Sequence, residues 1–293
     1  MTVSDRKYGF IEPSSGIQHL DATDIQKQLG IQIYSGHRAN LAAYRGKNAH
    51  FDRIAERAAR FDVGYEDQCS AAYYWDLFNC IFAFREKLTK VVDLGVYMGG
   101  SSVILAGCAH EFNFQIDLID IDDKYLHFGH ERVRRTYPEQ ADNVRLYGGD
   151  LPTYVRDVLC KEQGSCILLH HDASHEFGQV VRDLSSLFYV KDQIHSVAIQ
   201  DTNLRGQPDF SNAGRFVDAA AYAVFGFNMK YVPIGTTFGE NDTLMTMPNR
   251  FQGNYVLPGM PEGWFIPLEH NTFKYPHALA PPPLDAFINP TQR

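Results

Sequence analysis

The sequence predicts an α/β protein built on a doubly wound, mostly parallel sheet. Three observations predict it. From Lys90 onward, short apolar runs alternate with helical patterns through five strand–helix units, and such alternation means parallel strands with helices on both faces. Two late strands, Met229–Ile234 and Thr243–Met247, have no helix between them, which places an antiparallel strand near one edge. The first strand runs directly into a glycine-rich turn, as a ligand-binding sheet of this class requires.

Each element has its own signal. Residues 1–88 are mixed, polar and aromatic, with no strong strand. Tyr74, Leu77, Phe78, Ile81, Phe82 and Leu88 recur at three- and four-residue steps, a helical stripe over Ala72 to Leu88. An earlier helix is expected over Ala49 to Ala59. The five strands fall at Val91–Leu94, Gln115–Ile121, Asn143–Tyr147, Cys166–His171 and Ser196–Gln200. Their helices fall at Ser101–Cys108, near Tyr125–Tyr137, and at Thr153–Cys160, Glu176–Tyr189 and Ala213–Phe225. The tail beyond Arg250 carries Pro258, Pro261, Pro267, Pro276 and the run Pro281 to Pro283. Proline donates no backbone hydrogen bond, so the tail is expected to hold neither regular helix nor central strand. It either wraps the body or reaches a neighbouring subunit, and a homo-oligomer is expected. The division is a helical extension or lid (1–88), a ligand-binding domain (89–250) and a proline-rich extension (251–293).

Composition narrows the function. The chain has 293 residues, 44% hydrophobic and 21% charged, an ordinary globular balance. Its formal charge of −8 offers no counterion-release gain on DNA or RNA, so nucleic acid is not an expected partner. Cys69, Cys80, Cys108, Cys160 and Cys166 are odd in number and lack CxxC spacing. Neither a disulfide framework nor a zinc site is indicated, and a reducing, cytoplasmic compartment is expected. No stretch approaches the 18 apolar residues of a membrane span. Residues 1–20 include Asp5, Arg6, Lys7 and Glu12 and have no signal-peptide core.

In an open α/β sheet the ligand sits beyond the carboxyl ends of the strands. The first strand is followed by Asp93-Leu94-Gly95-Val96-Tyr97-Met98-Gly99-Gly100-Ser101-Ser102. Its G-x-x-x-G spacing differs from the G-x-G-x-x-G that cradles a pyrophosphate, so it is either a site for a ligand without one or a plain βα turn. The second strand ends in Asp120-Ile121-Asp122-Asp123. A carboxylate there can accept from both ribose hydroxyls. The interval from Gly95 fits the spacing of roughly 20 residues within one βαβ unit; Asp122 is the alternative to Asp120. The third strand ends in Gly148-Gly149-Asp150, where a carboxylate could accept from an adenine amino group.

This order of motifs resembles the class I S-adenosylmethionine (SAM)-dependent methyltransferases over residues 88–250. The resemblance implies a Rossmann-like seven-stranded sheet with its last strand antiparallel. It also implies cofactor contacts from Asp93, Gly95, Tyr97, Gly99, Ser101, Asp120, Gly149 and Asp150. The fourth strand leads into His171-Asp172-Ala173-Ser174-His175-Glu176-Phe177-Gly178-Gln179-Val180-Val181-Arg182-Asp183-Leu184. That stretch is similar to the D-G-D-H-S-Y-E-G-V-x-R-D-L of a subgroup including macrocin-type sugar O-methyltransferases and cephalosporin hydroxylase-like proteins. The fifth strand ends in Gln200-Asp201-Thr202-Asn203, similar to the subgroup's E-D-T-N.

The residues point the same way. Asp172 and Asp201 end strands that should be neighbours, ~4.8 Å apart. Two bare carboxylates ~5 Å apart repel by ~3 kcal/mol at an effective dielectric of 20. A cation or a shared proton must offset this, unless both acids cap helices or pair with arginines. An all-oxygen site suits Mg²⁺ better than zinc. The resemblance implies a divalent cation on Asp172, Asp201 and the preceding position, where the subgroup's Glu is replaced by Gln200. It also implies that His175 is the general base, a role its ordinary pKa near ~6.5 suits. The activity implied is Mg²⁺-assisted O-methylation of a small hydroxylated molecule, a sugar or secondary metabolite. Two alternatives stand: metal-independent O- or N-methylation, and a cofactor-binding partner subunit of another enzyme. Tyr73, Tyr74, Trp75 and Phe78 either close over the acceptor or belong to the core.

Overall fold

A computed structural model describes residues 7–31, 39–60, 69–205, 215–235, 255–257 and 260–292. The strands are β1 (Gly9–Ile11), β2 (Lys90–Leu94), β3 (Gln115–Asp120), β4 (Val144–Gly148), β5 (Ile167–His171), β6 (Ile194–Gln200), β7 (Leu204–Arg205), β8 (Val232–Ile234), β9 (Tyr255–Val256) and β10 (Gly263–Pro267). The helices are α1 (Ala22–Leu29), α2 (Ala49–Ala58), α3 (Ala71–Phe84), α4 (Gly100–Phe112), α5 (Asp123–Thr136), α6 (Leu151–Tyr154), α7 (Phe177–Ser186) and α8 (Val217–Phe225). The helix begun by α6 runs on as a π-helical turn, Val155–Leu159.

Eight strands form one sheet in the order β1-β4-β3-β2-β5-β6-β10-β8. Strands β4, β3, β2, β5 and β6 are parallel. β10 runs antiparallel between β6 and β8, and β1 runs antiparallel on β4 at the far edge. Among the described residues the sheet therefore has eight strands rather than the seven expected, because β1 comes from the N-terminal zone, whose sequence shows no strong strand. The expected strand Thr243–Met247 lies outside the described residues. The antiparallel strand that fills the gap between β6 and β8 comes instead from the proline-rich tail, which was expected to hold no central strand. The physical reason is local: Gly263-Trp264-Phe265-Ile266 is a proline-free apolar run, and Pro267 closes it at its last position, where a missing N–H costs little.

Alternation along the parallel strands explains the two layers. Val91, Ile116, Leu118, Leu146, Leu168 and Phe265 face a core completed by α2, α3, α4 and α5. Val92, Leu94, Ile119, Tyr147, Leu169, Ile199 and Trp264 face a second core completed by the α6 turn, α7 and α8. Successive side chains point to opposite faces of a strand, so one sequence run feeds both cores. Each fully buried large apolar side chain contributes roughly 1.5–3 kcal/mol. Helix α3 starts where the Ser70 hydroxyl accepts from Tyr73 N at 3.0 Å, a typical N-cap.

The tail wraps its own chain. Arg182 Nε and Nη2 donate to Phe287 O at 3.0 and 2.7 Å. Arg156 Nη1 donates to Gln292 O at 3.0 Å, and Tyr189 Oη donates to Pro282 O. Phe287 and Ile288 are buried beneath these contacts.

One backbone approach carries the sheet into the site. Gly95, at φ +89°, leaves β2 so close to β5 that an added Cβ would lie 2.0 Å from Asp172 O and 2.6 Å from Ala173 Cα. Gly95→Ala should therefore lower the unfolding free energy in urea by about 3 kcal/mol or more, combining left-handed strain with overpacking. Gly46, at φ +80° with nothing within 4 Å of an added Cβ, is the control. Gly46→Ala should cost only the conformational part, about 1–2 kcal/mol.

Candidate active site

A cleft of about 730 Å³ opens at the carboxyl rim of the sheet, the position the topology assigns to a ligand. One wall is the β2–α4 turn. Gly95, Tyr97, Gly100 and Ser101 line it, and the N-terminus of α4 points its early N–H groups there, favouring a negative ligand group. Asp93 and Gly99 do not line the cleft among the described residues. Asp93 is fully buried and accepts from Ser102 Oγ at 2.6 Å. It also bonds His170 Nδ1 at 2.7 Å, while His170 Nε2 meets Tyr73 Oη at 2.9 Å. Burial lowers the His170 pKa and the Asp93 partner raises it, with a net upward shift. Gly99 has φ +68°, and an added Cβ would lie 2.8 Å from Gly129 Cα, so its part is to let α4 approach α5.

Asp120 and Asp150 stand on the next two strand ends, and both line the cleft. Asp120 Oδ2 accepts from Val96 N at 3.1 Å and Tyr97 N at 3.3 Å, and Oδ1 from Asp122 N at 3.0 Å. The carboxylate thus pins the glycine-rich turn while facing the cavity. Burial pushes its pKa up to about 6, against the lowering effect of those backbone donors. Asp122 caps α5 through Lys124 N at 3.1 Å and pairs with Lys124 Nζ at 2.8 Å, which leaves Asp120 the better placed of the two. Asp150 caps α6 through Thr153 N at 3.0 Å. Gly149 beside it has no room for a Cβ, which would meet Tyr147 Cε1 at 2.7 Å and Tyr8 Cγ at 2.9 Å.

The second wall brings Asp172 and His175 to the cleft. Strands β5 and β6 are paired in the sheet, and Asp172 and Asp201 follow their ends. His175 Nε2 lies 2.6 Å from Asp201 Oδ2 and 3.9 Å from Asp172 Oδ1. The three side chains offer ligand atoms all within 4.8 Å of one another. Burial lowers the His175 pKa, but the Asp201 charge and the bonds to both carboxylates push it up to about 10. Burial raises the pKa of Asp172, with Asp201 adding to the shift and His175 opposing it. A protonated imidazole therefore supplies the positive charge that two neighbouring carboxylates require. Asp201 adopts φ +62°, a strained conformation of the kind that accumulates at functional positions.

Gln200 is buried behind this cluster. Its Nε2 donates to Glu262 Oε1 at 3.3 Å, and its Oε1 has no hydrogen-bond partner among the described residues. Glu262 also accepts from Ser70 N at 2.9 Å and from Ser70 Oγ. Burial pushes the Glu262 pKa up to about 8, against the donors from Ser70. Sequence reasoning missed Glu262 because it stands in the tail, remote from every motif. It brings a carboxyl group beside the position where Gln200 lacks one. Tyr8, Cys69 and Asn289 also line the cleft without any sequence signal. Of Tyr73, Tyr74, Trp75 and Phe78 on α3, Tyr74 lines the cleft. Tyr73 and Phe78 are core, and Trp75 stacks on Tyr44 at 5.3 Å.

These donors fit the groups expected. An N-terminal helix end, two rim carboxylates and a cavity of this size suit a nucleoside with a charged amino-acid arm. Two carboxylates, an imidazole and a partnerless buried amide oxygen suit a divalent cation.

Pairing with Asp201 has a measurable consequence. The His175 pKa is raised above its unfolded value. Its stabilising contribution is therefore complete below about 6.5 and fades as pH rises through about 10. Asp201→Asn should lower the His175 pKa by at least about one unit, read by NMR titration of the imidazole.

Part of the chain is similar to proteins already known. A methyltransferase-domain family model matches residues 92–193. No curated protein matches. Among solved structures, TomG from Streptomyces achromogenes, an O-methyltransferase of tomaymycin synthesis in complex with SAM, is 14% identical. It covers 74% of this chain and 88% of its own, with a TM-score of 0.43. Cofactor-bound Rv0187 from MTB is 14% identical, covering 79% of this chain and 96% of its own, with a TM-score of 0.44. The matched span, from within β2 to the turn beyond α7, holds the glycine-rich turn, Asp120, Asp150 and Asp172, and over it the chain carries a methyltransferase domain.

Proposed function

We propose that the protein methylates a hydroxyl of a small molecule, a sugar or secondary metabolite, with a divalent cation at Asp172 and Asp201. The observation that carries this reading is the cluster of Asp172, His175 and Asp201, of which Asp172 and His175 line the cleft. An O-methyltransferase of the macrocin or cephalosporin hydroxylase-like kind has the same residue types in the same order.

The chain's own residues divide the work. The N-terminus of α4, with Ser101, holds the amino-acid arm of the cofactor. Asp120 accepts from the ribose hydroxyls and Asp150 from the adenine amino group. Bound there, SAM supplies a methyl group already activated on a sulfonium. A cation on Asp172 and Asp201, with Gln200 Oε1 as a further oxygen, would supply positive charge that offsets both carboxylates and acidifies a nearby hydroxyl. With such a cation taking over the charge balance that the imidazolium otherwise supplies, a neutral His175 takes the hydroxyl proton. Asp201 orients that imidazole through the 2.6 Å contact. Alignment of acceptor and methyl donor by the cleft walls contributes several kcal/mol of rate enhancement.

The same 2.6 Å contact favours a second reading, in which Asp201 and His175 act as a metal-independent base pair. Methyl transfer from labelled SAM to hydroxylated acceptors, with and without EDTA, separates the two. The metal reading expects EDTA to abolish turnover and Mg²⁺ to restore it; unchanged turnover in EDTA selects the second. His175→Ala should lower kcat by about 10²-fold or more in either case.

Cofactor affinity should follow Asp120. Its carboxyl loses its proton only above about pH 6, and the ribose hydroxyls need the ionised acceptor. Titration calorimetry with S-adenosylhomocysteine should show affinity level above pH 7. It should fall about tenfold by pH 5, one unit below that pKa. An Asp120→Asn variant should bind weakly, with little of this pH dependence.

A further inference from the structure

We propose that the C-terminal tail completes the recognition of the cofactor's base, with Asn289 as a specificity-determining residue. The inference rests on reading the cleft as the SAM site.

Asn289 is half-buried and lines the cleft together with Tyr8, Gly149 and Asp150. The tail lies at the Asp150 end: Tyr8 packs over Gly149, and Tyr8 N donates to Gln292 Oε1 at 3.3 Å. The amide of Asn289 is turned in one sense. Its Oδ1 accepts from Thr291 N at 3.2 Å and from Thr291 Oγ1 at 3.1 Å. The group left to offer a ligand is the Nδ2 donor pair. The segment is anchored before any ligand arrives, by Arg182 on Phe287 O and Arg156 on Gln292 O. Anchoring of this kind reduces the ordering cost of binding.

Asp150 offers acceptors and Asn289 offers donors at the same end of the cleft. Adenine carries the complementary pair, an amino donor at N6 beside a ring-nitrogen acceptor. Hypoxanthine reverses it: O6 would face the Asp150 carboxylate, and a protonated ring nitrogen would face the Asn289 amino group. The cleft should therefore prefer S-adenosylhomocysteine to S-inosylhomocysteine, and part of that preference belongs to the tail.

The test is titration calorimetry of the full chain with both nucleosides, for the wild type, Asn289→Ala and the near-isosteric Asn289→Asp. The expected result is a loss of about tenfold in S-adenosylhomocysteine affinity for each variant. The adenosyl-over-inosyl preference should shrink with it. Unchanged affinity, or a parallel loss for both nucleosides, overturns the role of Asn289 while leaving the cofactor reading in place. A wild type that binds neither nucleoside overturns both.

Discussion

The contact between the start of the β2–α4 turn and the end of β5 governs the rest of the site. Asp172 N donates to Leu94 O at 2.8 Å, and Gly95 N donates to Ile119 O at 2.9 Å. These bonds continue the parallel ladder one residue beyond the regular strands. Only a residue without a Cβ can sit there, because the Asp172 carbonyl occupies the space a side chain would need. The glycine-rich turn and the first carboxylate of the acid cluster are consequently held at a distance set by sheet hydrogen bonds. A pleated ladder holds two such groups far more stiffly than a pair of loops.

Charge at the rim is balanced from several directions. Parallel strands end side by side, so acids at their ends crowd one another. Asp120 is answered by three backbone N–H groups, Asp150 by a helix N-terminus, and Asp172 and Asp201 by His175. Glu262 is answered by Ser70 and Gln200, which ties the start of α3 to β6 through the residue just before β10. A carboxyl group thus stands beside Gln200, supplied by the residue before β10.

The tail and the N-terminal segment share one task. β1 pairs with β4, and the tail packs on α7 and the α6 turn. The two meet at the cleft through Tyr8 and Gln292. The last residues of the tail, around Asn289 and Gln292, therefore stand at the Asp150 end. Nearer the acid cluster, the same tail supplies Glu262, just before β10, against Gln200.

Much of the fold was legible because it is periodic. The five parallel strands and their helices announce themselves through alternation and amphipathic spacing, within a few residues of their observed limits. The rim residues Gly95, Asp120, Asp150, Asp172, His175 and Asp201 were legible because they follow directly on those strands. What was illegible depends on partners far away in the chain. A three-residue strand such as β1, or the run Gly263–Pro267 inside a proline-rich stretch, has no pattern of its own; it becomes a strand only because β4 or β6 offers it an edge. Asn289, Tyr8 and Glu262 are ordinary residues by sequence, and their places come from packing. Local chemistry determined where the chain turns and which groups stand at its turns, since those depend on neighbours a few residues apart. Tertiary structure alone decided that His175 is held charged between two acids and that Glu262 stands beside Gln200. Those facts depend on distances between strands, which no interval along the sequence records.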